Sequence, residues 1–167
     1  YSMNNEKLMY IEECGLLFDK LGLTRMAGRA FGYLVVCDED HVSFDQIREA
    51  LKASKGSISG TMKQLVQTGM AEAVSLPGDR KTYYRISRVK IGDMIRQRIG
   101  QFIELADTLQ KGNELKKCKD ATSDWLTEAS TFHYWIGDQL DGIIKQWENE
   151  KQQIIHQYHE NREKHPN

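Results

Sequence analysis

The chain has 167 residues, 28% of them charged, with a net charge of −1. That length supports one domain with an extension rather than two independent globular domains. No apolar run approaches the roughly 20 residues needed to cross a bilayer and no charged-then-apolar leader opens the chain, so the expectation is a cytoplasmic protein with no membrane partner.

In chain order, a first helix is expected from about Met3 to Leu21. Its apolar Leu8, Ile11, Leu16 and Phe18 fall at mixed three- and four-residue steps, and Gly22 ends it. Thr24 is placed to cap a second helix through Met26, Ala30, Leu34 and Val35, stopped at Asp38-Glu39-Asp40. Ser43-Phe44-Asp45-Gln46 then reads as a capping box, opening a helix with Ile47, Ala50 and Leu51 on one face. Ser54 caps another, striped with Ile58, Met62, Leu65 and Val66 and closed by Gly69. Two short helices joined by a tight turn are a helix-turn-helix unit.

The period then changes. Met70 to Leu76 partly alternates, Pro77-Gly78-Asp79-Arg80 has turn chemistry, and Lys81 to Ile86 is rich in Thr, Tyr and Ile. That combination predicts a β-hairpin, a wing. From about Arg88 the helical period returns through Ile91, Met94, Ile95, Ile99, Phe102, Ala106 and Leu109, up to Lys111-Gly112. A last long helix is expected from about Asp120. Its spine of Trp125, Ala129, Phe132, Ile136, Leu140, Ile143 and Trp147 has heptad-like steps and wants a partner helix. The polar end, His159 to Asn167, is expected to fray.

Charge is unevenly distributed along this layout. Residues 1–40 carry net −3, residues 41–98 net +6, and residues 99–167 net −4. A basic middle between acidic flanks suits a polyanion-binding module on a non-binding scaffold. A helix that reads base edges in the major groove needs small polar and basic side chains near its N-terminus and an apolar opposite face. Ser54, Lys55, Gly56, Ser57, Ser59, Gly60 and Lys63 meet that demand, the glycines allowing close backbone approach. Arg80 and Lys81 at the wing tip would reach phosphates or the minor groove. Arg85 and Arg88 are either further phosphate contacts or plain surface charges.

These segments resemble a known family. Gly22-Leu-Thr-Arg-Met-Ala-Gly-Arg-Ala-Phe-Gly-Tyr-Leu34, Ser54-Lys-Gly-Ser-Ile-Ser59 and Gly78-Asp-Arg-Lys-Thr-Tyr-Tyr84 are similar to GbsR-type members of the MarR superfamily, over roughly residues 8–110. The resemblance implies homodimers in which terminal helices pair and two reading heads face a pseudo-palindromic site. It also implies an effector that shifts head spacing and relieves repression. The last helix carries no matching motif, so no effector identity follows. Some relatives are linked to choline and betaine. An aromatic cluster there (Trp125, Phe132, Tyr134, Trp135, Trp147) would either form the dimer core or cage a quaternary ammonium by cation–π attraction. Tyr134 and Trp135 are the members least suited to a simple seam, hence the candidate effector pocket.

Catalytic and metal signals are thin. The five histidines form no H-E-x-x-H pattern, and no G-x-S-x-G or phosphate loop occurs. Cys14, Cys37 and Cys118 are widely spaced, which argues against a disulfide framework or a zinc site. Cys14 and Cys37 read as small hydrophobes, while Cys118, flanked by Lys116, Lys117 and Lys119, is the candidate redox thiol.

The expected architecture is mainly α with a small β-wing of two or three strands: a winged helix-turn-helix with long N- and C-terminal dimerisation helices. Its parts are an N-terminal dimerisation helix (1–23), a DNA-binding domain (24–90), and a helical dimerisation and possible effector arm (91–167). The expected function is an effector-responsive repressor acting as a homodimer on double-stranded DNA, with no enzymatic activity, metal or cofactor. The rivals are a winged-helix protein-interaction module, which would expose Leu or Phe on the reading helix, and a thiol-based sensor working through Cys118.

Overall fold

The computed structural model describes residues 3–164, which form two compact units divided between Val89 and Lys90. The first contains α1 (Asn5–Lys20), α2 (Arg25–Val36), β1 (Val42–Ser43), α3 (Phe44–Ala50), α4 (Lys55–Gln67), β2 (Ala71–Ser75) and β3 (Thr82–Ile86). The second is a hairpin of α5 (Ile91–Leu115) and α6 (Ala121–Lys164). The mainly helical winged helix-turn-helix architecture is therefore as the sequence indicates, with a wing of three strands.

Local chemistry sets the boundaries. Asn4, Thr24, Ser43 and Ser54 each accept a backbone N–H with the side chain and so start α1 to α4. Ser43 and Gln46 close both halves of the capping box, at 3.3 and 2.7 Å. Gly22, Gly69 and Gly78 have positive φ where the chain reverses, and so does Lys52, at φ 49 in the turn between α3 and α4. A side chain in the left-handed region is uncommon, which is why no turn residue at 52 is evident in the sequence.

The core of the first unit joins Ile11 and Phe18 of α1, Ala27, Ala30 and Leu34 of α2, Val42, Ile47 and Leu51, Ile58, Met62 and Leu65 of α4, and Ala71. The expected α1 face is split: Ile11 and Phe18 are buried, whereas Leu8 and Leu16 are exposed. The period is imperfect because two apolar sets share the helix. Ile11, Cys14 and Phe18 face inward; Met9, Leu16, Leu17 and Leu21 face solvent. Val35 and Val66 likewise stand outside the core stripes to which their spacing assigns them. Helices α1 and α2 approach closely through glycine. A Cβ on Gly28 would lie 2.2 Å from the Cys14 carbonyl oxygen, and one on Gly32 would lie 3.0 Å from the Cys14 Cβ.

The antiparallel sheet has the order β1-β3-β2. β2 pairs with β3 from Ala71↔Ile86 to Ser75↔Thr82, while β1 adds only Val42↔Tyr84 and Ser43↔Tyr83.

In the second unit, α6 turns a small and polar stripe toward α5. Asn113 donates to the Ser123 carbonyl (3.1 Å) and to Thr127 Oγ1 (3.0 Å). Gly137 lies against Ile99 and Ile103, and Gly92 lies against Ile144 and Glu148. Arg96 bridges to Glu148 at 2.9 Å and to Asp141 at 3.4 Å. The apolar spine expected on α6 packs the hairpin only in part: Leu140 and Trp147 line an apolar cleft with Ile91 and Ile95 of α5. Trp125, Phe132 and Ile143 of that spine are more than half exposed. The tail stays helical from His159 to Lys164, and residues 165–167 of the expected frayed end lie outside the described residues. No helix among the described residues is long and apolar enough to cross a membrane.

Candidate nucleic-acid interface

Helix α4 is held by one face and open on the other. Ile58, Thr61, Met62 and Leu65 are buried, whereas Lys55, Gly56, Ser57, Ser59, Gly60 and Lys63 are exposed. Ser54 Oγ accepts from the Ser57 N–H at 3.2 Å, so the cap is closed by the chain itself. Neither Gly56 nor Gly60 has anything within 4 Å of where a Cβ would stand. Their smallness is thus not required by packing within the unit, in contrast to Gly28 and Gly32.

The wing turn is organised by Asp79. Its carboxylate accepts from the Lys81 N–H at 2.9 Å and from the Tyr83 hydroxyl at 2.7 Å. The Lys81 N–H, and after it the Tyr83 hydroxyl, hold the Asp79 carboxyl below the usual carboxylate range, while Asp79 in return raises the Tyr83 phenol. With Asp79 so occupied, Arg80 is left exposed at the tip and forms no ion pair among the described residues.

Lys55 and Ser59 of α4 and Lys81, Thr82 and Tyr84 of the wing line a common cleft of about 290 Å³, closed by Ser43, Phe44 and Asp45. The structure thus brings the two expected contact regions together. Thr82, Tyr84 and the start of α3 are additions that spacing alone did not reveal, because the convergence depends on sheet pairing. Arg85 and Arg88 are committed elsewhere: Arg85 pairs with Glu72 and, at 3.3 Å, with Asp40, and Arg88 pairs with Asp40. Lys52, Lys55, Lys63, Arg80 and Lys81, by contrast, enter no ion pair among the described residues.

Tyr134 and Trp135 are not brought together. Tyr134 donates to Asp107 and Gln110 and lines a polar cleft of about 350 Å³ with Asn113, Thr127 and Ser130. Trp135 is exposed and packs toward Phe132, with ring centroids 6.1 Å apart. The three cysteines are free: Cys14 buried, Cys37 half-buried and Cys118 exposed. Burial, more than the neighbouring Glu39, raises the Cys37 thiol.

A core shared by α1 to α4 and a three-stranded wing whose cations converge with those of α4 define a winged helix-turn-helix fold. A solved structure described as a transcriptional regulator matches with 30% identity and a TM-score of 0.79, covering 86% of this chain and 99% of its own. The HTH-type transcriptional regulator MmpR5 of Mycobacterium tuberculosis is 38% identical over 103 residues, 62% of this chain and 62% of that relative's length. A mutant MarR from E. coli complexed with operator DNA aligns at 19% identity and a TM-score of 0.38, over 75% of this chain and 85% of its own, too remote to bear on function. No family model matches. The chain belongs to the helix-turn-helix transcriptional regulators.

Proposed function

We propose that this chain is a MarR-superfamily regulator of GbsR type, a cytoplasmic homodimer that represses by occupying a pseudo-palindromic site in duplex DNA. The observation that carries this reading is the partition of cations. Lys55 and Lys63 on α4 and Arg80 and Lys81 on the wing stand exposed without ion pairs among the described residues, while Arg48, Arg85, Arg88 and Arg96 are paired with carboxylates. Unpaired cations on two converging elements suit phosphate neutralisation, and Ser57 and Ser59 between them suit base-edge contacts. The exposed face of α4 holds no Leu or Phe, which weighs against a protein-docking role.

Pairing with a second copy is supported by Trp125, Phe132 and Ile143, which stand exposed on α6, and by Met9 and Leu17 on α1 and Leu21 just after it. A dimer places two reading helices about one helical turn of DNA apart. In this reading an effector acts by changing that spacing. Tyr134 and Trp135 would belong to separate surfaces of one chain, so an aromatic cage built from both needs a second copy.

The test is fluorescence-anisotropy titration with a duplex from the region upstream of the chain's own gene, at two salt concentrations, beside Arg80→Ala. Binding should weaken steeply with salt, and the variant should lose about one unit of salt slope along with affinity. Absence of binding to specific and random duplex alike at low salt would remove the DNA-reading assignment.

A further inference from the structure

Residues 37–41 connect α2 to β1, and their three successive carboxylates each hold a different element. Asp38 accepts from Lys7 of α1 at 2.6 Å, and Glu39 accepts from Gln46 of α3 at 2.7 Å. Asp40 takes two arginines from the root of the wing: Arg85, within β3, at 3.3 Å, and Arg88, just beyond it. Arg85 also holds Glu72 of β2, so both strands of the hairpin are tied to the same anchor. His41 adds to it, with Nδ1 3.6 Å from Asp40 and its ring edge-on to Tyr83 at 5.0 Å.

We propose that Asp40 is a positioning residue for DNA reading: by holding Arg85 and Arg88 it fixes the direction in which the wing carries Arg80 relative to α4. This rests on the DNA-reading assignment above. The mechanical need is plain from the sheet. Two residues of β1 brace β3 at Tyr83 and Tyr84, so the root at Arg85 and Ile86 has no third strand beside it and is tied there by Asp40 instead. From Arg85 to Thr82 the strand spans about 10 Å at roughly 3.3 Å per residue, with Arg80 beyond it in the turn. A swing of about 10° at the root therefore moves the distal end of the strand by about 2 Å, enough to break a hydrogen bond to phosphate.

The pairs themselves are exposed, with Asp40 53% and Arg88 61% accessible. Exposed pairs of this kind contribute little to global stability. Loss of Asp40 should therefore loosen the wing without unfolding the unit.

The test exploits a disagreement in sign. Asp40→Asn removes a negative charge from the DNA-binding unit, so simple Coulomb attraction expects tighter binding. The positioning role expects binding to the upstream duplex to weaken by about tenfold, with the melting temperature nearly unchanged. Arg88→Gln supplies a second reading: affinity should fall with the salt slope unchanged, whereas an Arg88 that touched phosphate would take about 0.9 units of slope with it. The double variant should bind no more weakly than the worse single one, since both remove the same brace. Equal or tighter binding by Asp40→Asn, or a lowered slope in Arg88→Gln, would overturn the assignment of Asp40. If the unaltered protein bound no duplex, the DNA-reading assignment would fail first and take this one with it.

Discussion

The glycines of this chain show how one residue type carries opposite instructions. Gly28 sits where α2 meets α1, and a methyl group there would penetrate the Cys14 carbonyl and lie 2.8 Å from the Gly15 Cα. Both obstacles are backbone, which cannot rotate away. Gly28→Ala should destabilise the first unit by about 3 kcal/mol, read as a lowered midpoint in urea unfolding. The sequence shows Gly28 and Gly32 only as parts of a resemblance, because the partner that makes them necessary lies on another helix. Caps and turns are different. Thr24, Ser43 with Gln46, Ser54 and Gly22 act on neighbours within three or four positions, so their roles were legible from spacing alone. Arg85 and Arg88 were ambiguous for the opposite reason, since the Asp40 carboxylate they share lies 45 and 48 positions away and the Glu72 that also holds Arg85 lies 13 away on another strand.

At the scale of the element, α1 and α6 each carry one apolar set that is buried and another that is exposed, and this limits what periodicity can resolve. Spacing on α6 selects the apolar heptad, yet the face that meets α5 mixes small and polar residues, Ser123, Ser130, Gly137 and Asp141 among them, with the buried Ile144. The ion pairs in that seam make it sensitive to acid. Arg96 holds the Glu148 carboxyl below the usual range, and Lys145, followed by Arg96, does the same for Asp141. Carboxyls depressed in the folded state stabilise it fully above the ordinary carboxylate range. That contribution is lost as pH falls through that range toward the depressed values. Thermal unfolding followed by circular dichroism should therefore be insensitive to these groups between about pH 5 and 7 and should fall below about pH 4. In Arg96→Met the acid limb should be flatter, with a lower melting temperature at neutral pH.

For the whole molecule, the segment charge of +6 over residues 41–98 overstates what is available to a polyanion, because several of its arginines are spent on internal carboxylates. The fold class and the helix at Lys55–Gln67 followed from the sequence because their signals are periodic and local. The division of cations into free and committed did not, since it depends on tertiary neighbours. The same holds for the apolar surface. Trp125, Phe132 and Ile143 stand on α6 at 59%, 54% and 59% exposure, more than a lone soluble chain would leave open in one row. Tyr134, two positions from Ile136 and so about 160° around the helix, stands on the opposite flank. Covering the spine with a second copy would leave the polar cleft beside Tyr134 in water. Sedimentation of the unaltered chain should give a dimer, and Phe132→Glu combined with Ile143→Glu should give a monomer that keeps its helical circular dichroism.

Gly56 and Gly60 leave two unoccupied slots on the outer face of α4, with no neighbour within 4 Å. Replacing a mid-helix glycine such as Gly60 by alanine generally adds about 1 kcal/mol of stability, and Gly56, in the first turn, less. At these two positions the fold therefore favours a side chain, and only what lies against that face in use opposes one. If α4 reads DNA, filling either slot would alter what it can approach while adding stability, so target and robustness would change together.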